Sequence, residues 1–98
     1  MTDKEQKLPR KLKVGNKWYS IEVAQALRHK AHVGEINYSE RRIRLLAKNY
    51  PLMQGTFWHE LTHAILEDMG EHKLNNNEHF VEEFSNRLYK AIRTAKFV

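Results

Sequence analysis

Trp58-His59-Glu60-Leu61-Thr62-His63-Ala64 is the stretch from which the rest of the chain can be read. Residues four apart on an α-helix share one face about one turn apart, so the imidazoles of His59 and His63 can reach a common metal ion. Glu60 projects about 100° around the axis from His59, beside such an ion rather than onto it. A carboxylate there suits a general base acting on metal-bound water. His-Glu-x-x-His on a helix is the pattern of zinc-dependent hydrolysis. The surroundings support a helix over residues 52–70. Trp58, Leu61, Ala64 and Ile65 recur at helical spacing as a buried stripe, with His59, His63 and Leu66 as its neighbour. The plainer alternative is an amphipathic helix carrying two partly exposed histidines.

Working outward toward the C-terminus, Gly70 stops this helix, as glycine commonly does just past a helix end. His72 and Lys73 follow, where positive charge complements the helix dipole; orienting a substrate carbonyl is a second use open to His72. Asn75-Asn76-Asn77 opens a second long helix, and the spacing from Asn75 to Glu78 is that of a capping box. Phe80, Val81, Phe84, Leu88, Ala91, Ile92 and Ala95 are expected to form its core stripe. Glu78, Glu82, Ser85 and Tyr89 lie on one flank. A catalytic zinc needs three protein ligands and an open position, so a flank carboxylate is the natural third. Glu83 has Arg87 as an i,i+4 partner. Spacing does not decide between Glu78 and Glu82, of which one can ligate and the other support a ligand from outside.

Toward the N-terminus, two hairpins precede the motif. Lys11–Val14 and residues 18–23 flank Gly15-Asn16-Lys17. Residues 33–38 and Arg42–Leu46 flank Ser39-Glu40-Arg41, with Ile36/Tyr38 and Ile43/Leu45 alternating at period two. The second hairpin could offer the sheet edge along which a peptide is laid by strand addition, or be an ordinary structural hairpin. Residues 24–31 read as a short helix or a turn, and His29 and His32 as a polar loop face. Pro51 suits a helix start. Residues 1–9 are expected to be a flexible basic leader and 10–98 a single domain. The architecture expected is α+β: a small, mostly antiparallel sheet of two hairpins packed with two long helices.

Composition narrows the chemistry. Ninety-eight residues are enough for one core and no second domain. The absence of cysteine excludes disulfides, thiolate metal sites and a cysteine nucleophile, so a metal must be held by histidine and carboxylate. No apolar run approaches a membrane span or a signal segment, from which a cytoplasmic protein without membrane contact is expected. The net charge of +5 is unevenly spread: residues 54–86 hold seven acidic side chains against one basic, between basic flanks. An acidic centre favours a divalent cation, and the flanks could meet an acidic partner or nucleic acid. A solvated basic surface is the reading adopted, because no aromatic-basic cluster resembles a stacking platform for single strands.

The run from Thr56 through His59-Glu60-Leu61-Thr62-His63 to Leu66, preceded by the hairpin at 34–46, resembles the small phage and mobile-element zincins grouped as ImmA/IrrE-like metallopeptidases. Glu78-x-x-Val81-x-x-Phe84-Ser85-x-x-Leu88-Tyr89 is similar to that family's glutamate helix, and the resemblance spans about residues 33–92. It implies His59, His63 and Glu78 as ligands of Zn2+, ahead of Glu82, with Glu60 as catalytic base. It also implies hydrolysis of a peptide bond in a cytoplasmic protein, such as a repressor or a host regulator. Larger members have a longer segment between the two helices and a further domain that recognises a regulator or DNA. Here fourteen residues separate His63 from Glu78, which requires a tight turn. An oxyanion donor is also expected, with Tyr89, Tyr50, His72 and Arg87 as candidates. The competing reading is a protein-binding module that keeps the fold and its metal mainly for structure.

Overall fold

The computed structural model describes residues 8–98, with the backbone but not the side chain of Tyr50. Strands β1 (Lys11–Val14), β2 (Lys17–Ala24), β3 (Gly34–Asn37) and β4 (Arg42–Leu46) precede helices α1 (Tyr50–Met69), α2 (His72–Asn75) and α3 (Glu78–Thr94). The fold is α+β, with the two hairpins and two long helices expected, plus the single turn of α2. Sheet order is β1-β2-β4-β3. Both hairpins are antiparallel, but they join through a parallel β2/β4 pairing in which Ile21 faces Ile43 and Val23 faces Leu45. Residues 25–33 form bends and turns with no helix, because they must carry the chain across from β2 to the far edge. β3 is therefore an edge strand lying next to α1.

The core is where alternating sheet residues meet the helix. Tyr19, Ile21, Ile43 and Leu45 pack with Phe57, Leu61 and Ala64 of α1. Leu8, from the segment expected to be a leader, packs partly buried against this cluster, while residues 1–7 lie outside the described residues. Gly15 allows the first hairpin to approach α1: its φ is 61°, and a Cβ there would lie 2.6 Å from the Asp68 carboxylate. None of the described helices is long and apolar enough to cross a membrane.

α1 is capped at both ends. Asn49 accepts a hydrogen bond from Leu52 N at 3.0 Å, and Pro51 sits in the first turn. Gly70 is left-handed, with its N–H to Glu67 O and Glu71 N–H to Leu66 O, so two of the last carbonyls are satisfied by the cap. The buried face departs from the expected stripe. Residues 60–64 are buried without interruption, Met53 and Phe57 join them, and Ile65 points outward. α1 is covered on two sides, by the sheet and by α3, whereas amphipathic periodicity assumes one.

α3 differs more. The pairs His63–Glu78, His59–Glu82 and Trp58–Tyr89 run in opposite senses, so α3 lies antiparallel on α1. Of its expected core stripe only Val81 is buried, joined by Ser85, whose small side chain fits where the helices come close. Phe84 is 47% exposed beside buried Val81 and Ser85, and Ile92, at 52%, Ala91 and Ala95 lie in the run of residues 90–98 that is exposed without a break. The N-cap of α3 is Asn77, which accepts from Phe80 N at 3.0 Å; the box expected from Asn75 does not form. On the sheet, the ammonium groups of Lys11 and Lys13 lie 4.7 and 5.4 Å from the Trp18 ring centroid, an aromatic-basic cluster built across a strand pair.

Candidate metal centre

The i,i+4 spacing on α1 places the rings of His59 and His63 with centroids 5.1 Å apart. Glu78, in the first turn of α3, reaches both. One carboxylate oxygen is 3.2 Å from His59 Nε2, and the other is 3.1 Å from His63 Nε2. Single donor atoms of His59, His63 and Glu78 all lie within 4.8 Å of one another. Three donors each about 2.1 Å from a common ion in tetrahedral array would stand about 3.4 Å apart, so the spacing suits one cation. Two imidazoles and a carboxylate also match the donor preferences of zinc.

Glu82, the other carboxylate on this flank of α3, takes a different position. Its Oε1 is 2.9 Å from His59 Nδ1, the ring nitrogen turned away from Glu78, and Asn86 Nδ2 donates to its Oε2 from 3.3 Å. Glu78 and Glu82 are therefore distinguished by which imidazole nitrogen each meets, a difference decided by how α3 crosses α1.

Glu60 lies beside this group. It is buried and lines the same cleft, and among the described residues no side chain hydrogen-bonds to its carboxylate. Burial pushes its carboxyl up from the usual 4.5 to about 7, opposed by His63 and assisted by Glu78 and Glu35. Glu35, one strand away, is held by the Arg28 backbone N–H at 3.1 Å and by Arg44 Nη1 at 3.2 Å.

The cleft, of about 900 Å³, runs between β3 with the loop before it and the facing sides of α1 and α3. Leu46 N–H bonds to Val33 O, which with the β3/β4 register makes Glu35–Arg44 and Asn37–Arg42 the hydrogen-bonded pairs. The backbone N–H and C=O of Gly34 and Ile36 consequently face the open edge. Gly34 is required by closeness to α1: a Cβ there would lie 2.4 Å from Thr56 Cγ2 and 3.1 Å from Glu60 Oε2.

Of the side chains considered as oxyanion donors, Tyr89 stacks on Trp58, Arg87 pairs with Glu83 at 2.6 Å, and His72 stands in solvent 3.9 Å from Glu67. None of these three lines the cleft, and the side chain of Tyr50 lies outside the described residues. Tyr38 does line it, at the end of β3. His29 and His32 lie on the cleft rim with ring centroids 4.8 Å apart, and neither belongs to the ligand group. Sequence reasoning also missed Asn75. It is 8% exposed, stands 2.6 Å from His63 Nδ1 through Oδ1, and donates through Nδ2 to the Tyr38 hydroxyl at 3.1 Å. A run of three asparagines offers a cap at any of its positions, so only the fold shows which one turns inward. No protein-family model, curated protein or solved structure matches this chain.

Proposed function

We propose that this chain is a metal-dependent peptidase, with zinc as the suited metal, acting on an extended segment of a cytoplasmic protein such as a repressor or host regulator. The observation that carries the reading is the convergence of His59 Nε2, His63 Nε2 and the Glu78 carboxylate beside a buried Glu60. In this reading His59, His63 and Glu78 hold the ion, and Glu82 supports His59 from outside. A divalent cation bound there would supply Lewis acidity and a water of lowered pKa.

The chain's own groups do the rest. Gly34 and Ile36 present strand-edge N–H and C=O groups with no backbone partner among the described residues, to which an extended peptide can add as a further strand. That places a peptide bond along the cleft beside Glu60, since the Gly34 backbone approaches the Glu60 carboxylate closely. Glu60, poised near neutrality, accepts a proton from water as its oxygen adds to the peptide carbonyl carbon. It returns that proton to the nitrogen as the C–N bond breaks. Burial in the cleft is what matches its proton affinity to both transfers. A binding module with a purely structural metal would leave the buried carboxylate of Glu60 without a role.

Elemental analysis of the purified, untagged protein tests the reading. One divalent metal per chain is expected, lost in His63→Ala and Glu78→Ala and kept, more weakly bound, in Glu82→Ala. Glu60→Gln should keep the metal and lower peptide hydrolysis by roughly 100- to 10,000-fold. A wild-type chain that takes up no stoichiometric metal after reconstitution with zinc ions would rule the reading out.

A further inference from the structure

Each ligand imidazole has a partner on the nitrogen facing away from Glu78, and the two partners differ. His59 Nδ1 meets the carboxylate of Glu82, which stands largely in solvent. His63 Nδ1 meets Asn75 Oδ1, a neutral amide buried between α1, α2 and the end of β3. A carbonyl oxygen can only accept, so the contact requires the proton on Nδ1 and leaves the Nε2 lone pair directed at Glu78. The other end of the amide is held as well, where Nδ2 donates to the Tyr38 hydroxyl at 3.1 Å. The backbone of Asn75 is itself held, with its N–H bonded to Glu71 O at 2.9 Å.

We infer that Asn75, anchored by Tyr38, is a positioning residue that fixes His63 in the Nδ1–H tautomer with Nε2 free to bind a cation. The inference rests on the metal-site reading of His59, His63 and Glu78. It assigns a function to the connection between the long helices: α2 delivers the outer partner of a ligand carried by α1. It also ties that ligand to the end of the edge strand, so displacement of Tyr38 would release the amide that orients His63.

Affinity for zinc ions, measured by competition with a chromophoric chelator, tests it, with circular dichroism in chelator as the control for folding. Asn75→Ala should bind roughly ten- to a hundredfold more weakly, the usual effect of removing such a partner. Asn75→Asp keeps an acceptor and should stay within about threefold of wild type, and Tyr38→Phe should lose severalfold. A folded Asn75→Ala binding within twofold of wild type would overturn the inference. A second measurement needs neither metal nor an Asn75 variant. In metal-free Glu78→Ala, where the competing acceptor at Nε2 is gone, long-range proton–nitrogen NMR above pH 8 should find the His63 proton on Nδ1. Finding it on Nε2 would overturn the assignment of Asn75 even if zinc binds. If wild type binds no zinc while the Nδ1 proton is present, the metal reading fails and the orienting contact stands.

Discussion

Replacing Glu60 by glutamine should stabilise the metal-free protein in alkaline solution and leave it unchanged in acid. Burial, with Glu78 and Glu35 assisting and His63 opposing, raises the Glu60 carboxyl from 4.5 to about 7. Below 4.5 the group is protonated in folded and unfolded chains alike and contributes no difference. Between 4.5 and 7 the unfolded chain releases a proton that the folded chain retains, so stability falls as pH rises. Above 7 both states are ionised, and the folded one bears the full cost of the enclosed charge. The interval from 4.5 to about 7, at about 1.4 kcal/mol per pH unit, amounts to about 3 kcal/mol. Glutamine has nearly the same shape and no charge, so it removes this cost. For a domain of this size the gain corresponds to a rise in Tm of roughly 10–20 °C. Urea titrations of wild type and Glu60→Gln in chelator, at pH 8 and again near pH 4, read the difference directly. Coincident midpoints at pH 8, or an equal gain at both pH values, would refute the argument. In the mechanism proposed above, the burial that costs stability would also bring this carboxylate near the pH at which a base is most effective.

Two further outcomes follow from the packing. Gly34→Ala should cost about 1–3 kcal/mol, because its new methyl meets Thr56 Cγ2 at 2.4 Å, and adding Thr56→Ala should recover most of that loss in urea denaturation. A Gly34→Ala chain as stable as wild type would mean that β3 and α1 are not in this close contact. Asn77→Ala should cost about 1 kcal/mol through loss of the cap on Phe80 N, with zinc affinity unchanged. An unchanged thermal midpoint would show that the cap lies elsewhere in the asparagine run.

Much of the architecture is written in local pattern. The alternation of Ile36/Tyr38 and Ile43/Leu45 around Ser39-Glu40-Arg41 specifies a hairpin, and the pairing of β3 with β4 follows it. Pro51 and Gly70 mark the ends of α1, and both stand where a helix start and a left-handed cap need them. The i,i+4 spacing of His59 and His63 is a property of the helix itself, so their shared face was legible before any tertiary contact was known. Burial was less legible. The outward turn of Ile65 and the exposure of Phe84 and Ile92 depend on how much of each helix another element covers, and periodicity carries no information about that.

Sequence by itself determined the pieces: two hairpins, a capped helix with two histidines on one side, and a second helix with glutamates on one flank. Tertiary structure alone decided the parallel joining of β2 to β4 and the edge position of β3. It decided too that Glu78 meets both Nε2 atoms while Glu82 meets His59 Nδ1, and that Asn75 turns inward while Asn77 caps α3. The division has one physical cause. Dihedral preference, capping and side-chain period act over a few residues and are encoded where they act. The convergence of His63 with Glu78, Asn75 and, through that amide, Tyr38 is set by how α3 and the sheet edge dock on α1, a packing solution of the whole chain.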